Sequence, residues 1–202
     1  MATPPGTNVR GFLTDDEGEL LSALACEAGN LGPVLEIGSW CGRSTIWLAQ
    51  GAKLAGTVVL ALDHHRGSEE HQPGEMFFDA DLVDGEGRVD TLREFRRNIA
   101  QAGVEDTVIP IVAGTQQANA ILPHTLGMVF IDGGHSLEAA LTDWRSVGHR
   151  VLPGGILAID DVFPDASTGG QAPFTIWRLA IDSGLYEACD AVDSLRALRR
   201  LA

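Results

Sequence analysis

The sequence Val-Leu-Glu-Ile-Gly-Ser-Trp-Cys-Gly-Arg-Ser-Thr, residues 34–45, decides the fold. A short apolar run carries one acid and leads into Gly38 and Gly42, which lie four residues apart, and then into a helix-forming segment. This order is typical of a parallel strand that turns into a helix, where glycines let the backbone approach a ligand and the first helical N–H groups face it. The segment predicts a site for a small polar ligand. A tight turn without a ligand is the alternative.

The acid in this segment, Glu36, indicates which ligand binds. The pattern Glu36-x-Gly38-x-x-x-Gly42 differs from the dinucleotide signature G-x-G-x-x-G. A carboxylate accepts hydrogen bonds from an ammonium or a hydroxyl group but repels a pyrophosphate. We therefore expect a nucleoside without phosphates.

The whole chain has 202 residues, which fits a single domain over 1–202 with one buried core. Its formal net charge of −14 disfavours contact with nucleic-acid backbones. Apolar runs stay below about 18 residues, residues 1–7 lack a signal-peptide pattern, and the cysteine spacing suits a reducing compartment. These features predict a soluble cytoplasmic protein without a membrane partner, and they leave a homodimer open.

Outward from residues 34–45, buried strand patterns alternate with helical periodicity. A capping box at 14–17 predicts a helix over 15–29. The predicted parallel strands are 34–38, 57–63, 108–113, 128–132 and 156–160. The helices between and after them are 43–53, 90–102, a short helix ending at 122, one ending near 151, and 173–183. With an antiparallel edge hairpin at 186–191 and 195–200, the chain predicts an α/β fold, a doubly wound Rossmann-like sheet of seven strands.

Residues 64–87 are too long and too polar for an ordinary connection, and such loops are usually functional or disordered. The segment opens with His64, His65 and Arg66 and later contains Phe77 and Phe78. We predict that it is a lid over the site and that the two histidines and the arginine contact the substrate. For the two histidines, a role in closing the lid and simple solvent exposure are the alternatives.

Polar residues end the predicted parallel strands, at the edge where ligands bind in such sheets. Asp63 ends the second strand, the position at which a Rossmann-type fold places the acid that binds ribose hydroxyls. Thr115 follows the third strand at the same edge. A helix cap or a turn is the alternative role for Asp63.

The fourth and fifth strands end in Asp132 and in Asp160-Asp161. Neighbouring strands would bring these three carboxylates together, which requires shared protons or a cation. Oxygen ligands suit Mg²⁺ or Ca²⁺, with Mn²⁺ as a further candidate. His135 lies three residues after Asp132, in a Gly-Gly-His loop, where its ring can act as a base near neutral pH. Capping and loop hydrogen bonding are the alternative roles.

Together these motifs resemble those of class I S-adenosylmethionine-dependent methyltransferases. Residues 34–42 are similar to the first motif of that family, Asp63 to its ribose-binding acid, and residues 114–116 to its adenine-contacting segment. The sequence departs from the family at Trp40, where many members carry glycine. The resemblance implies S-adenosylmethionine as the cofactor. The residues expected to bind it are Glu36, Gly38, Ser39, Ser44, Asp63, Gly114, Thr115, Gln116 and Asp132.

Asp132, Asp160 and Asp161 resemble the metal triad of the small Mg²⁺-dependent O-methyltransferases. Catechol-type members carry Asp-Asn and a nearby lysine, so Asp-Asp with a histidine is closer to the sugar O-methyltransferases of antibiotic and polysaccharide pathways. Residues 63–74, 130–136 and 161–165 are also similar to a bacterial group that includes a sugar 1-O-methyltransferase of methylmannose polysaccharide assembly.

This resemblance implies an enzyme that uses Mg²⁺, or another divalent ion, to move a methyl group to a hydroxyl of a small molecule, most specifically a sugar or oligosaccharide. His135 would remove the hydroxyl proton. A non-catalytic nucleoside-binding domain and a nucleotide-dependent dehydrogenase are the alternatives.

Overall fold

The computed structural model describes residues 8–202, which form a seven-stranded sheet flanked by helices. The strands are β1 (Val34–Ile37), β2 (Val59–Asp63), β3 (Val108–Val112), β4 (Leu126–Ile131), β5 (Val151–Ile159), β6 (Tyr186–Val192) and β7 (Leu195–Arg200). Their order across the sheet is β3-β2-β1-β4-β5-β7-β6. The first five strands are parallel, and β7 runs antiparallel between β5 and β6. The predicted doubly wound fold with an antiparallel edge hairpin is confirmed.

The helices cover both faces of the sheet. They are α1 (Asp15–Ala28), α2 (Arg43–Leu54), α3 (Leu92–Ala102), α4 (Thr115–Ala118), α5 (Leu137–Val147) and α6 (Ala172–Asp182). The predicted capping box opens α1, with reciprocal hydrogen bonds between Thr14 and Glu17. The Glu17 carboxylate also accepts from the backbone N–H groups of Ser194 and Leu195, at 3.1 and 3.2 Å, so it ties α1 to the β6–β7 turn.

Alternate residues of the central strands pack into different apolar clusters, because parallel strands are buried on both faces. Val34 of β1 packs with α1, α2 and α3, while Leu35 packs with α4, α5 and α6. Met128 and Val129 of β4 divide in the same way. Glu36 is the exception, a fully buried carboxyl in the middle of β1.

Several boundaries differ from those predicted. β5 begins at Val151 and runs through Pro153 and Gly154, whereas the predicted strand began at residue 156. The β4–β5 register shifts there, between Leu126 and Met128, since proline cannot donate a ladder hydrogen bond. The fifth helix ends at Val147 and a 3-10 turn, Gly148–Arg150, follows it.

Residues 64–87 contain two short 3-10 helices, Glu69–His71 and Ala80–Leu82. An isolated antiparallel bridge joins Val83 to Val89 within the connection between β2 and α3. None of the helices formed within residues 8–202 is long and apolar enough to cross a membrane. The role of 64–87 as a lid stays a prediction.

Candidate functional site

A cavity of about 1380 Å³ lies at the carboxyl ends of the parallel strands, where the sheet architecture places ligands. Sites for one drug-sized ligand measure roughly 300–1,000 Å³, so this cavity has room for two small molecules side by side. Most of the predicted site residues lie on its wall: Gly38, Ser39, Ser44, Asp63, His64, Gly114, Thr115, Gln116, Asp132, His135, Asp160 and Asp161.

The turn between β1 and α2 forms one side of this cavity. Gly38 and Gly42 have φ angles of 89° and 91°, a region that favours glycine. A Cβ atom at Gly38 would meet the carbonyl oxygen of Asp132 at 1.9 Å, so this glycine also lets the turn cross the end of β4. Ser39 lines the cavity, and its Oγ is buried and has no hydrogen-bond partner within residues 8–202.

Glu36 lies beneath the turn instead of on the cavity wall. Its carboxylate accepts hydrogen bonds from the Ser44 Oγ at 2.6 Å and the Thr45 Oγ1 at 2.5 Å. Burial raises the pKa of Glu36 to about 7, and the two hydroxyl donors oppose that shift. Glu36 therefore fixes the first turn of α2 against β1, and its expected contact with the cofactor stays a prediction.

Asp63 joins the end of β2 to the same turn. Its Oδ2 accepts from the Trp40 N–H at 2.7 Å, and its Oδ1 accepts from the His65 N–H, also at 2.7 Å. A carboxylate has about four acceptor positions, so two remain after these contacts. Asp63 is thus held rigidly on the cavity wall with acceptor capacity left for ligand hydroxyls.

The three residues expected to contact the substrate have different surroundings in the structure. His64 lies on the cavity wall with its side chain half exposed. His65 is buried, with its Nδ1 2.8 Å from the Thr91 Oγ1, and burial lowers its pKa. Arg66 pairs with Asp84 at 3.0 Å. His65 and Arg66 therefore hold the start of the 64–87 segment in place, and their expected contact with the substrate stays a prediction.

A cluster of ionisable groups lies beside the turn, at the ends of β4 and β5. Ligand atoms of Asp132, His135 and Asp161 all lie within 4.8 Å of one another. Asp160 makes other contacts. Its Oδ1 accepts hydrogen bonds from the Asp161 N–H at 2.9 Å and from the Ser194 Oγ at 3.3 Å. Within residues 8–202, the group with metal-binding geometry thus consists of Asp132, His135 and Asp161, whereas the expected group had Asp160 and not His135.

The electrostatics of this cluster fit a divalent cation. Burial raises the pKa of Asp132, and the charges of Asp160 and Asp161 raise it further. Burial also raises the pKa of Asp160, with Glu17 and Asp161 adding to the effect. Carboxylates this close cannot all ionise without a compensating charge. Carboxylate oxygens such as those of Asp132 and Asp161 suit Mg²⁺ or Mn²⁺, so these residues fit such an ion.

His135 contacts carboxylates through both ring nitrogens. Its Nε2 lies 3.1 Å from the Asp161 Oδ2, and its Nδ1 lies 2.6 Å from the Glu70 Oε1. The hydrogen bond to Asp161 raises the pKa of His135 to about 9, with burial opposing this and Glu70 adding to it. Sequence reasoning missed Glu70, because no local pattern links a residue of the 64–87 segment to a histidine beyond β4.

Asp143 is a second carboxyl group on the cavity wall that sequence reasoning missed. It lies on α5 and is buried, and burial raises its pKa to about 6 while a hydrogen bond from Thr115 lowers it. The only sign of its role in the sequence is that Asp143 lies on the inward side of an amphipathic helix, where a charged residue is uncommon.

Comparison with known proteins agrees with this geometry. Residues 35–162, more than half of the chain, match a family model described as a methyltransferase domain. Three solved structures share the fold at identities below 25%. The O-methyltransferase from Bacillus cereus, solved in complex with SAH, is 22% identical with a TM-score of 0.63, covering 94% of this chain and 83% of that one. TomG from Streptomyces achromogenes, an O-methyltransferase involved in tomaymycin synthesis and solved with SAM, is 17% identical with a TM-score of 0.62, covering 95% and 82%. The O-methyltransferase NovP is 18% identical with a TM-score of 0.68, covering 92% and 79%.

Proposed function

The chain belongs to the methyltransferase family, and on that premise we propose that it moves the methyl group of S-adenosylmethionine to a hydroxyl oxygen of a small molecule, with Mg²⁺ or another divalent ion at the site. One observation carries this proposal. Asp132, His135 and Asp161 form a metal-competent group beside the glycine turn, in a cavity with room for two ligands.

The cofactor is proposed to lie along the β1–α2 turn. Gly38 gives the backbone close access, Ser39 offers a buried hydroxyl without a partner within the described chain, and Asp63 offers acceptors for ribose hydroxyls. Residues 114–116 lie on the same wall and would face the adenine. The solved O-methyltransferases that carry SAH or SAM on this fold support this placement.

The bound groups supply part of the chemistry, and residues of the chain supply the rest. S-adenosylmethionine, when bound, supplies the methyl group, and a divalent cation, when bound, lowers the pKa of the acceptor hydroxyl. Asp132 and Asp161 would hold the cation. The Nε2 of His135, which lies 3.1 Å from the Asp161 Oδ2, would accept the hydroxyl proton, and Glu70 holds the Nδ1. The acceptor oxygen gains the methyl carbon as the carbon–sulfur bond breaks, so S-adenosylhomocysteine leaves with the sulfur electron pair.

The finer assignments belong to the same proposal. The acceptor is a sugar or oligosaccharide, as in polysaccharide biosynthesis, with no nucleic-acid or membrane partner, and the reaction takes place in the cytoplasm. Residues 1–202 act as a single domain, of which 1–7 lie outside the described residues. The segment 64–87 acts as a lid, and the reach of Glu70 and His71 to the cavity wall supports this role.

The test is a methyl-transfer assay on the purified chain with S-adenosylmethionine and a panel of neutral sugars, measuring S-adenosylhomocysteine release. EDTA should abolish turnover and Mg²⁺ should restore it. Asp161→Asn should abolish the Mg²⁺ response, whereas Asp165→Asn, an exposed acid four residues further on, should preserve it. Activity that survives chelation would contradict the metal-dependent mechanism. Binding of S-adenosylhomocysteine without transfer to any acceptor would favour the non-catalytic nucleoside-binding domain.

A further inference from the structure

We infer that Phe12, Trp40, His71 and Phe77 form the acceptor-binding wall of the cavity and hold an acceptor through an uncharged ring face, that of a sugar. The inference rests on the proposed methyl transfer and deepens it, because it names the residues that select the second substrate. These four residues form the aromatic wall.

The aromatic wall is assembled from three separate parts of the chain. Phe12 precedes α1, Trp40 lies in the glycine turn, and His71 and Phe77 belong to the 64–87 segment. The Phe12 and Trp40 rings stack with centroids 5.6 Å apart, and Phe12 meets Phe77 edge-on at 5.1 Å. His71 lies 5.6 Å from Trp40 and 6.2 Å from Phe77. These rings form one continuous surface on the cavity wall, next to the turn assigned to the cofactor.

Ion pairs outside the aromatic wall connect the chain segments that carry its residues. Arg10 pairs with Asp79 and, at 3.4 Å, with Asp81, so the stretch before α1 is fastened to the 64–87 segment. Phe12 and Phe77 nevertheless remain 69% and 38% exposed. Exposed apolar side chains that line one concavity are typical of a binding surface, since their exposure is otherwise unfavourable. The anchoring and the exposure together indicate a surface that is assembled but still uncovered.

Trp40 gives an independent indication. Its φ angle of 40° lies in the left-handed region, which disfavours residues with a Cβ atom. Its indole Nε1 is buried and has no hydrogen-bond partner within residues 8–202. A bulky cavity-lining residue that is held in an unfavourable conformation and has a buried donor without a partner is typical of a functional position.

The charge on the rest of the cavity wall defines which acceptors can enter. Ten carboxyl groups line the cavity, and Glu69, Glu70 and Glu75 lie on the same segment as His71. In the described chain, Arg43 is the one arginine or lysine on this wall, and it pairs with Asp15 at 2.7 Å. Acceptors that carry phosphate or carboxylate groups would therefore be repelled.

An apolar ring surface opposite many hydrogen-bond acceptors fits a molecule with two different sides. A sugar ring has an axial C–H face, which contacts the negative face of an aromatic ring, and an edge of hydroxyl groups, which donate to carboxylates. A catechol would stack on the aromatic wall but offers only two hydroxyls to the carboxyl groups. The structure thus favours a neutral sugar over both an anionic and a planar aromatic acceptor.

Saturation-transfer NMR on the full chain loaded with S-adenosylhomocysteine tests this without requiring turnover. The probes are methyl glucoside, glucose 6-phosphate and catechol, each alone and in competition. Methyl glucoside should receive saturation at its ring C–H protons. The double substitution Phe12→Ala and Phe77→Ala should lower that signal at least about fivefold, because two aromatic contacts are lost. Met76→Ala, which changes an 86% exposed side chain next to Phe77, should leave it unchanged.

The outcomes separate this inference from the proposed function. In the native chain, a stronger signal from catechol would overturn the sugar-ring assignment, and a stronger signal from glucose 6-phosphate would overturn the exclusion of anionic acceptors. An unchanged signal in the double variant would overturn the role of the aromatic wall, provided that calorimetry shows normal S-adenosylhomocysteine binding. If S-adenosylhomocysteine fails to bind the native chain, the proposed methyl transfer fails. Methyl transfer to sugars that is insensitive to the double substitution would instead leave the proposed function standing and this inference refuted.

Discussion

Replacing Glu36 by glutamine should change how the stability of the protein depends on pH. Glu36 is fully buried, and burial raises its pKa from an ordinary value of 4.5 to about 7. Below pH 4.5 the carboxyl group is protonated in both the folded and the unfolded chain, so its contribution to stability is fully present. As the pH rises, the unfolded chain releases this proton first, and the free energy of unfolding falls until the pH passes about 7.

The size of the effect follows from the same values. One pKa unit corresponds to about 1.4 kcal/mol, so ionisation of Glu36 costs the folded state about 3 kcal/mol overall. About 2 kcal/mol of this should appear between roughly pH 5.5 and pH 8.5, because the unfolded chain is already largely ionised at the lower value. Glutamine has the same size and still accepts from one hydroxyl of Ser44 or Thr45, but it does not titrate.

Urea unfolding of both proteins at about pH 5.5 and pH 8.5 measures this difference. Over that range the native chain should lose about 2 kcal/mol more stability than Glu36→Gln. Glu105→Gln, which changes an exposed glutamate, should keep the native pH dependence. Parallel pH dependences for native and Glu36→Gln proteins would refute the argument. Calorimetry with S-adenosylhomocysteine adds a second readout, since a direct ligand contact by Glu36 would weaken binding roughly 10- to 150-fold on substitution, whereas a positioning role should change it little.

Three further predictions concern the site. Asp63→Asn should weaken S-adenosylhomocysteine binding by about 1.5–3 kcal/mol, the worth of a charge-assisted hydrogen bond, and equal affinities by calorimetry would count against the assignment. His135→Ala should lower kcat by roughly 10²–10⁴-fold while cofactor affinity stays nearly constant. A fully active variant would show that His135 is not the base. Residues 64–87 should gain amide-exchange protection when S-adenosylhomocysteine and a sugar bind, whereas identical exchange with and without ligands would argue against a lid.

The sequence by itself determined the fold and the family. Residues 34–45, the alternation of buried strands with helices and the polar strand ends predicted both the doubly wound sheet and a methyltransferase, and both are confirmed. The alternative of a nucleotide-dependent dehydrogenase gains no support from the family match. These features were readable because periodicity, capping and glycine turns are set by interactions between residues a few positions apart.

Only the tertiary structure decided how the side chains of the site are used. It turned Glu36 under the glycine turn, brought His135 into the group with Asp132 and Asp161, and placed Glu70 against that histidine. It also assembled the aromatic wall from segments far apart in the chain. A strand pattern states that a residue is buried or lies at a strand end, but not which groups from distant segments surround it. Partners, pKa values and the space left for ligands depend on those surroundings, and they are set only when the helices and the 64–87 segment pack onto the sheet.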